Sequence, residues 1–223
     1  DKYHGVTDHC NINELAEAIP SSTFSYIWFD ACYMGQAEVA YQLRDKADYM
    51  VGAVSEIWDE GNPYHLTLPY MLRATPDLAK AADIFYNYYV GKQMPVTMAV
   101  IDLKEMEGVA AACRNINSRN LEVDASVLQN YARGSNGPFY DVYQLSAERA
   151  QGNTELIEPL RNALEKAVVY KAISETDFRG NAFDASVYSG LSCRNYQPKD
   201  LNETDGFYRT LDWALKTYAD YLK

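Results

Sequence analysis

The run Tyr26-Ile27-Trp28-Phe29-Asp30-Ala31-Cys32-Tyr33-Met34-Gly35 constrains the chain more than any other stretch. Its four consecutive apolar or aromatic residues, bounded by polar ones, predict a buried parallel strand. From Met34 onward, Met34, Ala37, Val39, Ala40, Tyr41 and Leu43 recur at a spacing close to 3.6, which predicts a helix from about Gly35 to Lys46. Cys32 then falls where the carboxyl end of a strand turns into a helix, the place where open α/β sheets bind ligands. A thiol there feels the positive end of the helix dipole, which favours the nucleophilic thiolate. Asp30, two residues earlier, is a carboxylate in an apolar setting with no obvious structural use. A buried Cys32 acting as a small hydrophobe, and an Asp30 acting as a helix cap, are the structural alternatives.

The rest of the chain alternates strands with helices. Asn11 caps a short helix through Ile19. Further buried strands are predicted at 49–54 and 96–101, and a last one at 188–193. Helices are predicted from Thr75 to Val90, with Gly91 as terminator, and over 103–118, 126–133, 141–150, 154–170 and 207–222. The acidic segment Ser55-Glu56-Ile57-Trp58-Asp59-Glu60-Gly61-Asn62-Pro63-Tyr64 reads as a loop. It leaves the carboxyl end of its strand, and two parallel neighbours would bring it to the edge that carries Cys32. Alternating strands and helices predict an α/β sandwich with a mainly parallel sheet flanked by helices. We divide the chain into a nucleophile-bearing half (1–102), a helix-rich subdomain (about 103–172), and a closing strand with a terminal helix (about 173–223).

With 223 residues and a net charge of −11, the chain is an acidic protein whose length suits one large domain or two small ones, and the charge argues against a nucleic-acid partner. No apolar run is long enough to predict a transmembrane segment. Cys10, Cys32, Cys113 and Cys193 are far apart and include no CxxC, so neither a zinc site nor a dense disulfide framework is expected. One bridge among Cys10, Cys113 and Cys193 stays open.

The motif text adds a family. Phe29-Asp30-Ala31-Cys32-Tyr33-Met34-Gly35, then Glu38-Val39-Ala40-Tyr41-Gln42-Leu43-Arg44, then Ala47-Asp48-Tyr49-Met50-Val51-Gly52 and Gly61-Asn62-Pro63-Tyr64, resembles the clostripain family of cysteine peptidases. That family belongs to the caspase–gingipain–legumain fold group. The strong match covers about residues 24–64, and a weaker one extends to Tyr188-Ser189-Gly190-Leu191-Ser192 and the final helix. The resemblance implies a caspase-like three-layer sandwich and a Cys–His dyad that hydrolyses peptide bonds after Arg or Lys. It makes Cys32 the nucleophile, with the Cys32 N–H as an oxyanion donor. It puts Asp30 at the base of the pocket for the basic side chain, where a carboxylate can hold guanidinium with two hydrogen bonds. Glu56, Asp59 and Glu60 are candidates for added negative potential at the pocket rim, and Trp58 for its wall. A solvated acidic loop is the bland reading of the three acids.

The departure from the family pattern concerns histidine. The family carries its His, usually followed by Gly, after a buried strand and before the Cys. His4-Gly5 has the dipeptide but only Asp1-Lys2-Tyr3 before it, with no strand to position His4 as the base. His9 lacks the following Gly, and His65 lies after Cys32. The resemblance therefore implies a processed heavy chain, cut before Asp1, with a light chain of the same precursor supplying the His. It further implies export from a bacterial cell. No cofactor or defined metal site is expected; calcium enters only because some relatives use it. Two other readings remain: a catalytically silent binding module of this fold, and an unrelated α/β protein with a structural Cys32.

Overall fold

The computed structural model describes residues 10–119, 121–132, 139–196 and 206–222. His4 and His9 lie outside the described residues, as does the predicted 134–138 loop.

Four strands form the central sheet: β1 (Phe24–Trp28), β2 (Ala47–Gly52), β3 (Thr97–Asp102) and β5 (Val168–Ile173), side by side in that order. β1 and β2 run parallel, with Tyr26 opposite Tyr49 and Trp28 opposite Val51. β2 with β3 and β3 with β5 run antiparallel. The sheet is thus mixed where a mainly parallel one was expected, and the cause is a helical hairpin. Between β2 and β3 lie two helices, α3 (Tyr64–Met71) and α4 (Leu78–Val90), packed against each other and closed by an Asp77 N–H to Tyr70 carbonyl bond of 3.1 Å. A single crossover helix returns the chain to the far edge. A pair brings it back to the edge it left, so β3 starts where β2 ended.

Alternation along the strands sorts the core into two layers. Met50, Ala99 and Ile101 face one side, with α2 (Ala37–Gln42), α5 (Met106–Asn117), α6 (Val142–Ala150), α7 (Thr154–Ala167) and α8 (Asp212–Thr217). Val51, Met98 and Val100 face the other, against Leu78, Ala82, Phe85 and Tyr89 of α4. The helix-rich middle of the chain is therefore continuous with one layer of the sandwich. A two-stranded sheet, β4 (Tyr140–Asp141) with β6 (Ser192–Cys193), fastens the late part of the chain to the site through a Ser192 N–H to Gly35 carbonyl bond of 2.9 Å.

Several elements differ from expectation. β1 is half-exposed because it is the edge strand of the described sheet. The 154–170 helix stops at Ala167, and Val168–Ile173 is a strand. The 126–133 helix is one turn of 3₁₀ helix at Ala125–Val127, capped by the Asp124 carboxylate. The terminal helix shrinks to α8, preceded by a 3₁₀ turn at Tyr208–Thr210. All four cysteines are unbridged.

Candidate active site

Because β1 and β2 are parallel, their carboxyl ends open on one edge of the sheet, and β3 begins and β5 ends there too. The loops after β1, β2 and β5 therefore converge, and the candidate residues sit on the first two of them.

Cys32 is exposed in a tight turn. The expected helix start is not beneath it: α2 begins at Ala37, with Tyr33–Gln36 intervening, so the thiol does not sit on a helix N-terminus. The turn is held by the backbone instead. Tyr33 has φ +60°, a left-handed conformation that costs a bulky residue on the order of 1–2 kcal/mol. Its N–H donates to the Ser55 carbonyl at 3.0 Å, and the Gly35 N–H to the Ala53 carbonyl at 2.8 Å. A Cβ on Gly35 would stand 2.8 Å from the Ala53 carbonyl carbon, so only glycine lets the turn lie this close to the chain leaving β2. At the thiol, the Ile57 N–H donates to Sγ at 3.3 Å, and the S–H reaches the Ile57 carbonyl at 3.6 Å. Among the described residues the Cys32 N–H has no backbone acceptor.

Asp30 is exposed, and the second loop wraps it. Its Oδ2 accepts from the Asn62 N–H at 3.0 Å and the Tyr64 hydroxyl at 3.2 Å. Gly61, at φ +64°, presses against the same carboxylate, and a Cβ there would lie 2.6 Å from Oδ2. Both bonds fall on one oxygen; Oδ1 has no donor among the described residues. Burial, then the neighbouring Asp30 charge, push the Tyr64 hydroxyl pKa up, so Tyr64 stays a proton donor to the carboxylate.

The remaining candidates spread over the same loop. Glu56 is buried rather than out on the rim, while Asp59 and Glu60 are exposed. Glu60 is paired with Lys92 at 2.7 Å. The Trp58 indole N–H donates to the Pro95 carbonyl at 2.8 Å, and its ring stacks on Phe178, 4.5 Å between centroids. His65, on α3, packs edge-on against Tyr88. Sequence reasoning missed Thr97. This buried side chain at the start of β3 accepts from the Val54 and Ser55 N–H groups, each at 3.1 Å, and so fixes the start of the second loop, where the chain leaves β2. A threonine in an apolar strand carries no signal of that role. Among the described residues no three His, Cys, Asp or Glu side chains cluster as metal ligands.

A family model described as the clostripain family matches residues 1–216. The chain belongs to the clostripain family. It is a cysteine protease fold, and solved structures agree. A B. fragilis cysteine protease superposes with a TM-score of 0.83 at 25% identity, over 97% of this chain and 96% of that one. An inactive zymogen C11 protease from Parabacteroides distasonis is 32% identical with a TM-score of 0.77, over 93% of this chain but 62% of its own length. A clostripain from Bacteroides thetaiotaomicron, in complex with the peptide inhibitor BTN-VLTK-AOMK, is 25% identical with a TM-score of 0.79, over 96% and 97%. No curated protein matches the chain. The sandwich is therefore the caspase-like one of clostripain-family proteases, and the chain spans about three-fifths of the zymogen. Among the described residues no helix is long and apolar enough to cross a membrane.

Proposed function

We propose that this clostripain-family chain carries the nucleophile and the selectivity carboxylate of an endopeptidase that cuts after Arg or Lys. The observation that carries the proposal is the pairing of Asp30 and Cys32 on one turn, both held by the 57–64 segment, with one Asp30 carboxylate oxygen that takes no donor among the described residues. Guanidinium or ammonium at Asp30 brings the next carbonyl carbon to the sulfur. The thiolate adds to that carbon, and the oxyanion that forms accepts a hydrogen bond from the Cys32 N–H. The C–N bond then breaks as an imidazolium protonates the leaving amine, and water hydrolyses the thioester. The inhibitor bound to the Bacteroides thetaiotaomicron clostripain has lysine as the last residue of its VLTK segment, in keeping with an acidic pocket for a basic side chain. A further neighbour is described as secreted, and export is our expectation for this chain.

The imidazole is proposed to come from a light chain. β1 has no partner on its outer side among the described residues, and an unpaired edge is a template for another strand. A strand added there in parallel would end beside Cys32, where a histidine could reach the thiol. Phe24 at 47% and Leu72 at 74% exposure flank that edge as apolar surface for the same partner. Native mass spectrometry of active protein is predicted to find a second polypeptide; full activity from this chain alone would contradict the light chain. For the pocket, Asp30→Asn should lower kcat/KM on Arg and Lys peptides by on the order of 100-fold, through loss of a charge pair at the site. An undiminished preference for basic residues in that variant removes Asp30 from the role.

A further inference from the structure

The Trp58–Phe178 stack is unused by the mechanism above, and it joins the two loops that the catalytic turn does not supply. Trp58 sits in the second loop between Ile57, which touches Cys32, and Gly61, which touches Asp30. Its carbonyl accepts the Gly61 N–H at 2.8 Å, so its backbone is fixed in the loop segment that touches both Cys32 and Asp30. The indole N–H bond to Pro95 turns the ring away from β1 and toward β5. Phe178 meets it from the tip of a hairpin that follows β5. That tip is built rather than loose. Thr176 bridges Ala182, the Asp177 N–H donates to the Asn181 carbonyl at 2.8 Å, and the Asp177 carboxylate accepts from the Arg179 and Asn181 N–H groups. Both rings are only half-buried, so the stack presents apolar surface on the active edge. Beyond it lies a cavity of ≈360 Å³ between Tyr86, Met94, Pro95 and Glu175.

Which part of a substrate reaches this surface follows from the proton path, and so rests on the function proposed above. The base must protonate the leaving amine, so the leaving side of the substrate lies toward the base. With the base arriving at the open edge of β1, the acyl side runs the other way, across the loops after β2 and β5. We infer that Trp58 and Phe178 form an apolar subsite for one of the two residues that precede the basic one, and select an aliphatic or aromatic side chain there. In an apolar pocket a single methylene is worth roughly 10- to 200-fold, so a large apolar side chain is distinguished from none by at least about 10-fold.

The test uses the enzyme in its active assembly with two series of fluorogenic amides, acetyl-Xaa-Arg and acetyl-Xaa-Gly-Arg, with Xaa as Gly, Leu, Phe or Asp. Acetyl-Arg amide, which has nothing to place in the subsite, is the reference. Wild type is expected to favour Leu or Phe over Gly and Asp by about 10-fold or more in kcat/KM in one series. Phe178→Ala should erase that preference and leave the reference amide within about twofold, and Phe178→Leu should keep most of it. Persistence of the preference in Phe178→Ala overturns the inference. So does an equal loss on every substrate including the reference, which would make Phe178 a prop for the loop. If wild type cleaves no Arg or Lys amide at all, the proposed function falls first and the subsite with it.

Discussion

Gly61 shows how closely the site is specified at the scale of single residues. Its φ of +64° suits glycine, and its missing side chain is what lets the Asp30 carboxylate lie against the loop. Gly61→Ala would pay twice: about 1–2 kcal/mol for a left-handed alanine, and a displaced Asp30, because the new Cβ falls 2.6 Å from Oδ2. The variant should fold with a lowered melting temperature and lose at least about 10-fold in kcat/KM on Arg substrates, a fall of about 1.4 kcal/mol in transition-state binding. Wild-type kinetics on Arg would show that Asp30 is not held for substrate. At this scale the sequence was informative. Asp30 and Cys32 are two positions apart, and any tight turn after a strand presents both. The partners of Asp30 were not legible, because Asn62 and Tyr64 lie more than thirty positions away and meet it only through the parallel register of β1 and β2.

At the scale of elements, the turn between β1 and α2 works because it is sewn to the chain leaving β2. Gly35→Ala tests the seam. Its Cβ would lie 2.8 and 2.9 Å from backbone atoms of Ala53 and Val54, which cannot rotate away. We expect a loss of about 1–3 kcal/mol in stability, the usual cost of overpacking. A loss of on the order of 100-fold in kcat should accompany it, since a displacement near 1 Å is enough for that. Denaturant titration and steady-state kinetics measure the two, and a variant with normal stability and turnover would refute the seam. Strand β5 explains what pattern reading loses at this scale. Leu160, Leu164, Ala167 and Val168 continue a helical stripe without a break, yet the β-branched pair Val168-Val169 opens a strand that pairs with β3. Long-range pairing overrides local periodicity there. The same holds for the direction of β3, which depends on α3 and α4 packing as a hairpin and not on any residue within the strand.

At the scale of the whole molecule, the acid load is managed unevenly. Most of the net −11 is solvated, but Glu38 on α2 is 3% exposed, its Oε1 accepting the Arg194 N–H at 2.9 Å. Burial pushes its pKa up to about 7, against which the Arg194 bond, the Arg194 charge and Tyr208 pull it down. The raised value means the fold prefers Glu38 protonated. Its contribution to stability is complete below about pH 4.5 and fades as the pH rises through about 7, by up to roughly 3 kcal/mol. Glu38→Gln should therefore melt higher than wild type at pH 8 and nearly level with it at pH 4.5, read by thermal denaturation across that range. A wild-type difference that does not grow with pH would contradict the assignment. None of this was visible in the sequence, where Glu38 is one acid in an amphipathic pattern and its burial is created by distant residues, Arg194, Tyr208 and Leu211, meeting α2.

The proposed function requires Cys32 to be the nucleophile beside a carboxylate that recruits basic side chains. Its most direct test is peptide mapping of the active assembly after reaction with an arginine chloromethyl ketone. The account predicts a single stoichiometric adduct on the Cys32 thiol, slowed by a competing Arg peptide and absent from Cys32→Ala. Labelling that persists in Cys32→Ala, or that falls on Cys10, Cys113 or Cys193 instead, would contradict it.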